Sequence, residues 1–350
     1  MIDFGILSEI DLALIAVLQA EPRASWATVS RVTGLSPATA ARHWERLAAS
    51  GVVWVTASPG EAVWSAHCVA YVEVTCTAGA TLEVAHTLAQ DPHALTVEVT
   101  AGSADLFLTV AAVDLSTMSN YLLRRVDTVA GITHTNTRIS TKLYKDGSHW
   151  RLDARPRRRS APPSAGLVTR PGRESAAQHA DLDRKLSLLL GMDGRASYAD
   201  LSHQLEVSEA TVRRRVDQLL RSGAVILRTE VSAERVGWPV SAIMSLDVPV
   251  TLLGEAARTA TRLRQVRLVA TVAGRPSLIV VAWLKYLEEI HELEGQLVDT
   301  VPQLQVQNRL TVLHTVKRMG RILDEHGDAT GVVPMSHWQN PFESADLAPA

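Results

Sequence analysis

Residues 197–223 read SYADLSHQLEVSEATVRRRVDQLLRSG, and this stretch decides the fold. Ser197 and Ser208 each stand where a hydroxyl can accept from the open N–H groups of a first helical turn. They start helices over about 197–205 and about 208–222, and Gly223 supplies the left-handed residue that ends the second. Val212, Val216 and Leu219 recur at i, i+4 and i+7 and form a buried stripe. Arg213, Arg214 and Arg215 fall off that stripe and face solvent or a polyanion. Two helices joined by a tight turn make a helix-turn-helix. Ser208, Glu209 and Thr211 lie at the start of its second helix, where a recognition helix meets base edges and phosphates. A helix at about 181–191 precedes the pair, and a strand from Val225 follows it as a wing.

The same pattern stands earlier in the chain. Arg23-Ala24-Ser25 recurs as Arg195-Ala196-Ser197, an offset of 172 residues. Held without gaps, that offset brings Asp11 onto Asp183, Leu14 onto Leu186, Arg42 onto Arg214 and Ser50-Gly51 onto Ser222-Gly223. Far downstream it brings residues 126–129, VDTV, onto 298–301, VDTV. One offset holding that far marks a tandem duplication of a unit of roughly 145 residues. In the first copy the helices run from Ser8 to about Ala20, from Ser25 to Val32 and from Ser36 to Gly51. Residues 52–56 and 62–64 read as a hairpin around Ser58-Pro59-Gly60-Glu61. Ser36, Thr39, Arg42, His43 and Arg46 take the DNA-facing places. Trp26 and Trp44 read as core residues, Trp44 in the place of Val216.

The second half of each copy alternates. Strands are expected at about 68–74, 95–101, 106–113 and 132–143, with helices marked by Leu82, Ala85 and Leu88 and by Leu115, Met118, Leu122 and Val126. The later copy gives strands near 240–248, 267–273, 277–284 and 304–313 and helices near 251–264 and 286–298. The order βαββαβ is ferredoxin-like. Two helices cover one face of such a sheet. Apolar residues at both parities give the other face a need for a partner sheet, and the two halves of the chain can supply each other's.

A helix-turn-helix followed by βαββαβ resembles the Lrp/AsnC (feast/famine) family of prokaryotic transcription regulators. The carrying residues are 207–216, VSEATVRRRV, with 223–226, GAVI, and in the effector domain 99–106, VTAGSADL, with Gly131-Ile132. The resemblance implies an α+β fold of two winged helix-turn-helix domains alternating with two ferredoxin-like effector domains of the RAM/AsnC type, a family dimer fused into one chain. The expected domains are 1–60 and 179–232 for DNA, 64–147 and 237–322 for effector, an Arg- and Pro-rich linker at 148–178 and an irregular tail at 323–350 in which Trp338 can pin the chain. It further implies a sequence-specific regulator of double-stranded DNA that reads an imperfect palindromic operator, responds to an amino acid or related metabolite, and forms homo-oligomers. The family's ligand lies near a Gly-x-x-Asp turn. The matching positions are Gly102 and Asp105, with Thr100, Thr133 and Thr135 nearby and Gly274 and Ser277 in the second copy. The competing reading of Gly102 is an ordinary hairpin turn.

Composition sets the outer bounds. The chain has 350 residues, 46% of them hydrophobic, with 35 Lys and Arg against 37 Asp and Glu and a formal net charge of −2. Wholesale disorder and a uniformly basic nucleic-acid binder are excluded, while a local basic patch is not. The first residues, MIDFGILSEIDL, lack the basic region of a signal peptide. The apolar runs fall far below the roughly 20 residues of a membrane helix. A cytoplasmic protein without a membrane partner is expected. Cys68 and Cys76 are the only cysteines, too few for a disulfide framework or a zinc site. No cofactor, metal or catalytic residue is assigned. Siroheme decarboxylases resemble the same family as fused pairs and form the enzyme alternative. An interaction protein that no longer binds DNA is the other.

Overall fold

The computed structural model describes residues 7–152 and 173–336. The first copy runs α1 (Glu9–Ala20), α2 (Trp26–Thr33), α3 (Pro37–Ala49), β1 (Val53–Pro59), α4 (Glu61–Ala66), β2 (Cys68–Cys76), α5 (Thr81–Ala89), β3 (Ala94–Ala101), β4 (Leu106–Ala112), α6 (Leu115–Tyr121) and β5 (Ile132–Lys145). The second repeats it as α7 (Arg173–Met192), α8 (Tyr198–Leu205), α9 (Glu209–Arg221), β6 (Val225–Val231), β7 (Val240–Asp247), α10 (Leu253–Arg262), β8 (Val266–Val272), β9 (Leu278–Leu284), α11 (Glu289–Thr300) and β10 (Gln305–Arg318). Two short strands, β11 (Arg321–Leu323) and β12 (Ala329–Val332), follow.

These elements sort into two compact units, and neither unit is one copy of the repeat. One holds the helix-turn-helix elements of both copies, within residues 9–64 and 151–230. The other holds both βαββαβ segments, within residues 65–150 and from 231 onward.

In the helical unit each copy contributes three helices and a strand. Ser25, Ser36, Ser197 and Ser208 cap their helices, each hydroxyl accepting from the backbone N–H three residues on. The second module's core gathers Leu186, Leu190, Leu201, Val212, Val216 and Leu219. The wing departs from the expected hairpin. Residues 61–66 are helical, and β1 pairs with β6 of the other copy in a two-stranded sheet. Gly60 makes this possible, because a Cβ there would stand 1.8 Å from the Gly223 carbonyl oxygen. Its N–H donates to the Ala224 carbonyl at 3.1 Å. Each wing strand then leans on the other copy's first helix: Thr56 Oγ1 donates to the Gly191 carbonyl and Thr229 Oγ1 to the Leu18 carbonyl, both at 2.7 Å.

Two further expectations are corrected. Helix α7 begins at Arg173, inside the expected linker, and the linker's 153–172 lies outside the described residues. The segment after Leu323 is not wholly irregular, because β12 pairs with β11 and β11 with β10. Its residues 337–350, Trp338 among them, lie outside the described residues.

In the sheet unit the strand order is β10-β3-β4-β2-β5-β8-β9-β7, all antiparallel, and β7 pairs again with β10, so eight strands close on themselves. Each half keeps the ferredoxin-like order, and the halves join where β5 meets β8 and β10 meets β3. One face of each half packs its helices: Val72, Val74, Leu106 and Leu108 under α5 and α6, and Met244, Leu246, Leu278 and Val280 under α10 and α11. The other face carries Tyr71, Phe107, Glu98, Arg267, Arg318 and Trp283, all buried. The guanidinium of Arg267 lies 3.6 Å from the Trp283 ring centroid and that of Arg318 lies 4.9 Å away. Trp150 meets both Trp238 and Trp283 edge-on, at 5.8 and 4.9 Å. Two equivalent lysines bolt the halves together. Lys145 Nζ donates to the Thr261 and Leu263 carbonyls at 3.0 and 3.3 Å, and Lys317 Nζ to the Asp91 carbonyl at 2.9 Å.

Candidate DNA interface and effector pocket

Helices α3 and α9 are the second helices of the two helix-turn-helix motifs, and their outer faces form the candidate DNA interface. Ser36 and Ser208 are exposed at their starts, with hydroxyls engaged in the caps and hydrogen-bonded to Thr39 and Thr211. Arg42 and Arg214 are equivalent and exposed, and neither side chain has an ion-pair or hydrogen-bond partner among the described residues. Arg213 is exposed as well, held by Glu209 at 2.8 Å one turn earlier and lying 4.9 Å over the Tyr198 ring. The equivalent of Arg213 in α3 is Ala41.

Three of the expected DNA-facing side chains also make contacts inside the modules. Arg215 is buried and its guanidinium grips Asp183 of α7 through Nε at 2.9 Å and through Nη2, while Nη1 donates to Gln218. His43, its equivalent, stands 2.9 Å from Asp11 of α1, and Arg46 Nη2 donates to the same carboxylate oxygen at 2.7 Å. The reason is an acid at one position of the first helix in both copies: Asp11 is 4% exposed, and a carboxylate that deep requires cations. The pairing of Asp11 with Asp183 under the repeat offset was the signal in the sequence. Trp26 and Trp44 are likewise only half-buried. They lie under the Arg195 guanidinium at 4.4 and 5.6 Å rather than in the core.

The effector residues separate into two groups. Thr100 is buried with its hydroxyl on the Ala104 carbonyl at 2.7 Å, and Asp105 Oδ2 accepts from the Cys76 N–H at 2.7 Å. Ser277, the equivalent of Asp105, does the same work: its hydroxyl accepts from the Val248 N–H at 3.1 Å. Asp105 is thus a strand tie that a serine replaces, and its carboxylate is partly spent. Gly102 has φ +137°, and a Cβ there would come within 2.8 Å of Leu310 and 2.9 Å of the Arg309 carbonyl. The turn reading of Gly102 is therefore sharpened to close packing against β10. Gly274 has φ +96° with open space around it. Thr133 and Thr135 point to the helix side, with hydroxyls on the Thr75 carbonyl and on Asp127, each at 3.0 Å.

The alternate residues of the same strand line a pocket of about 240 Å³, with Glu73, Thr75, Ser103, Ala104, His134 and Asn136 around it. Arg138 Nη1 lies 2.9 Å from Glu73 Oε1, and Asn308 Nδ2 donates to Ser103 Oγ at 2.6 Å, which brings β10 to the rim. Sequence reasoning missed His134 and Asn136 by one step of strand parity. Glu73, a lone acid between Val72 and Val74, was the visible clue. In the second copy the equivalent positions are Ser245, Asp247, Arg275, Pro276, Val306 and Asn308, with Arg275 Nε 3.5 Å from Asp247. The pocket chemistry is not repeated there.

Comparison with known proteins gives matches along most of this architecture. The family described as the Lrp/AsnC ligand binding domain matches residues 69–150, and the AsnC-type helix-turn-helix domain matches residues 7–48 and again 181–220. The chain is similar to an uncharacterized HTH-type transcriptional regulator of Pyrococcus furiosus, 26% identical over 143 residues, which cover 40% of this chain and 95% of the relative. It is similar to the HTH-type transcriptional regulator FL11 of the same organism, 29% identical over 143 residues, covering 41% and 94%. Among solved structures it is similar in fold to the siroheme decarboxylase NirDL, with a TM-score of 0.56 at 12% identity, covering 91% of this chain and 96% of that one.

Proposed function

We propose that the chain is a transcriptional regulator of the Lrp/AsnC type, since its residues 69–150 match the Lrp/AsnC ligand binding domain and its residues 7–48 and 181–220 the AsnC-type helix-turn-helix domain, and that one chain does the work of a dimer on its operator. Helices α3 and α9 enter successive major grooves and read two unequal half-sites of an imperfect palindrome. The observation that carries this is the repetition of one exposed arginine, Arg42 and Arg214, on two capped helices. A gel shift on the chain's own promoter region tests it. The double variant Arg42→Ala/Arg214→Ala should lose binding by about 100-fold, and the salt slope should fall by about two, one per phosphate contact removed. Unchanged affinity would overturn the assignment. Arginines of the linker add non-specific phosphate contacts in this reading.

The pocket beside the Ser103-Ala104 turn takes the effector. Glu73, which already faces Arg138, adds negative charge that suits an ammonium, while Ser103, Asn136 and His134 offer partners to a carboxylate or amide, which is the chemistry of an amino acid. A thermal-shift screen against amino acids at millimolar levels checks this, since stabilisation grows as the logarithm of ligand concentration over affinity. An amino acid that stabilises the wild type should fail on Glu73→Gln, and an equal shift in both removes the pocket from the reading.

The proposal treats the chain as a regulator without catalysis, supported by relatives named as HTH-type transcriptional regulators. Siroheme added to the protein should leave its absorption spectrum unaltered, and a spectral change would favour the enzyme of the same fold. Among the described residues no helix is long and apolar enough to cross a membrane. A cytoplasmic location and assembly of chains into a tetramer complete the proposal. Light scattering that gives a monomer refutes the last.

A further inference from the structure

Arg23 and Arg195 occupy equivalent places, in the turn between α1 and α2 and in the turn between α7 and α8. Each crosses to the other copy's turn. Arg23 donates from Nη1 to the Gly194 carbonyl and from Nη2 to the Ala196 carbonyl, both at 2.8 Å. Arg195 answers with Nη1 on the Pro22 carbonyl at 2.6 Å and Nη2 on the Ala24 carbonyl at 3.1 Å. A guanidinium is a planar fork of fixed geometry, so two carbonyls held by one fork are fixed in orientation as well as distance.

The same two guanidiniums lie on aromatic rings that lead to the DNA-reading helices. Arg195 is 4.4 Å from the Trp26 ring and 5.6 Å from the ring of Trp44, a residue of α3. Arg23 is 4.8 Å from the Tyr198 ring, which also carries Arg213 of α9 at 4.9 Å. Trp26 and Tyr198 are themselves equivalent positions. Burial, followed by the charge of Arg23, lowers the Arg195 guanidinium to about 10, which leaves it protonated at neutral pH.

We propose that this reciprocal arginine clasp sets the separation and relative rotation of α3 and α9, and with them the half-site spacing that a single chain accepts on duplex DNA. The proposal rests on the DNA-binding reading above. Duplex DNA turns once in 10–10.5 base pairs, so inserting about 2 base pairs rotates one half-site by about 70° relative to the other. A rigid pair of modules then loses simultaneous engagement, whereas a loosened pair follows the DNA.

The test is selection of bound duplexes from a random-sequence pool, run with the full-length chain. Wild type should enrich two half-sites at one separation. Arg23→Ala/Arg195→Ala should enrich the same half-site sequences at scattered separations. On the wild-type site lengthened by two base pairs, wild-type affinity should fall by about tenfold or more, and that of the variant by less than about threefold. Arg23→Lys/Arg195→Lys, which keeps the charge but loses the fork, should behave like the alanine pair and covers the case in which the latter fails to fold. A single sharp separation retained by the lysine pair overturns the clasp. If wild type enriches no sequence, the DNA-binding reading itself falls, and the clasp with it.

Discussion

The two copies of the repeat fill the same corner of the sheet unit with opposite chemistry. In copy one, Asp91 accepts from Tyr121 Oη at 3.0 Å and from Arg125 through Nε and Nη2 at 2.9–3.1 Å, while its carbonyl takes Lys317. At the equivalent positions copy two has Leu263, Leu293 and Leu297, packed in an apolar cluster. Backbone and topology are retained through the exchange. The fold therefore specifies a filled volume at this corner, and a polar filling is tolerated only when every member has its partner. The sharpest way to break the comparison is to convert one filling into the other piecemeal. Asp91→Leu alone leaves Arg125 and Tyr121 without their acceptor and should cost about 3–5 kcal/mol in urea unfolding. Asp91→Leu/Tyr121→Leu/Arg125→Leu, which copies the second half, should recover most of that loss. If the triple variant is no better than the single, the two corners are not interchangeable solutions.

A related contrast runs through the helical unit. Asp183 is held by the buried fork of Arg215, whereas Asp11 is shared by His43 and Arg46, whose side chain is 58% exposed. Removing Asp183 strands a buried guanidinium. Removing Asp11 strands one half-buried imidazole and one arginine that can swing into water. Asp183→Ala should therefore cost about 3 kcal/mol and Asp11→Ala about 1–2 kcal/mol, read as the shift in the denaturation midpoint. Equal costs would mean that His43 and Arg46 depend on their carboxylate as fully as Arg215 does on its own.

On DNA the same asymmetry should reappear with a smaller amplitude. Helix α9 presents Arg213 and Arg214, and α3 presents Arg42 with an alanine beside it. Arg214→Ala should weaken operator binding by about tenfold or more, Arg42→Ala by less, and Ala41→Arg should strengthen the first half-site. Titrations on duplexes carrying one intact half-site resolve the two contributions.

Much of this was legible in the sequence. Serine caps, glycine stops and apolar periodicity located nearly every helix and strand, since those signals are local. The duplication was legible because one offset held across the chain. The exchange of wing strands was not, because pairing of β1 with β6 joins residues more than a hundred positions apart and leaves only Gly60 as a trace. Arg215 escapes a helical wheel, which shows the residues that leave the apolar stripe and not that Asp183 waits beside one of them. His134 and Asn136 escape strand alternation in favour of Thr133 and Thr135, because alternation gives two faces without saying which one opens on a cavity.

The last contrast is a single buried carboxyl. Glu98 of β3 has Ala270 as its counterpart in β8. It sits with Arg318 and Arg267 in the interior of the closed sheet, and burial pushes it up to about 7 against the opposing pull of the two guanidiniums. In the unfolded chain a glutamate titrates near 4.3, so between about 4.3 and 7 the folded chain binds the extra proton. The stabilising contribution of that proton is complete below about pH 4.3 and is lost as pH rises through 7. Glu98→Gln mimics the protonated form and removes the titration. Wild type should lose about 2 kcal/mol relative to Glu98→Gln between pH 5 and pH 7 in urea unfolding, with little further change above pH 8. A difference that does not vary with pH would mean that Arg267 and Arg318 keep the carboxylate ionised throughout. The interior where Glu98 of copy one meets Arg267 and Arg318 of copy two would then be a settled ion cluster, not a site that takes up a proton.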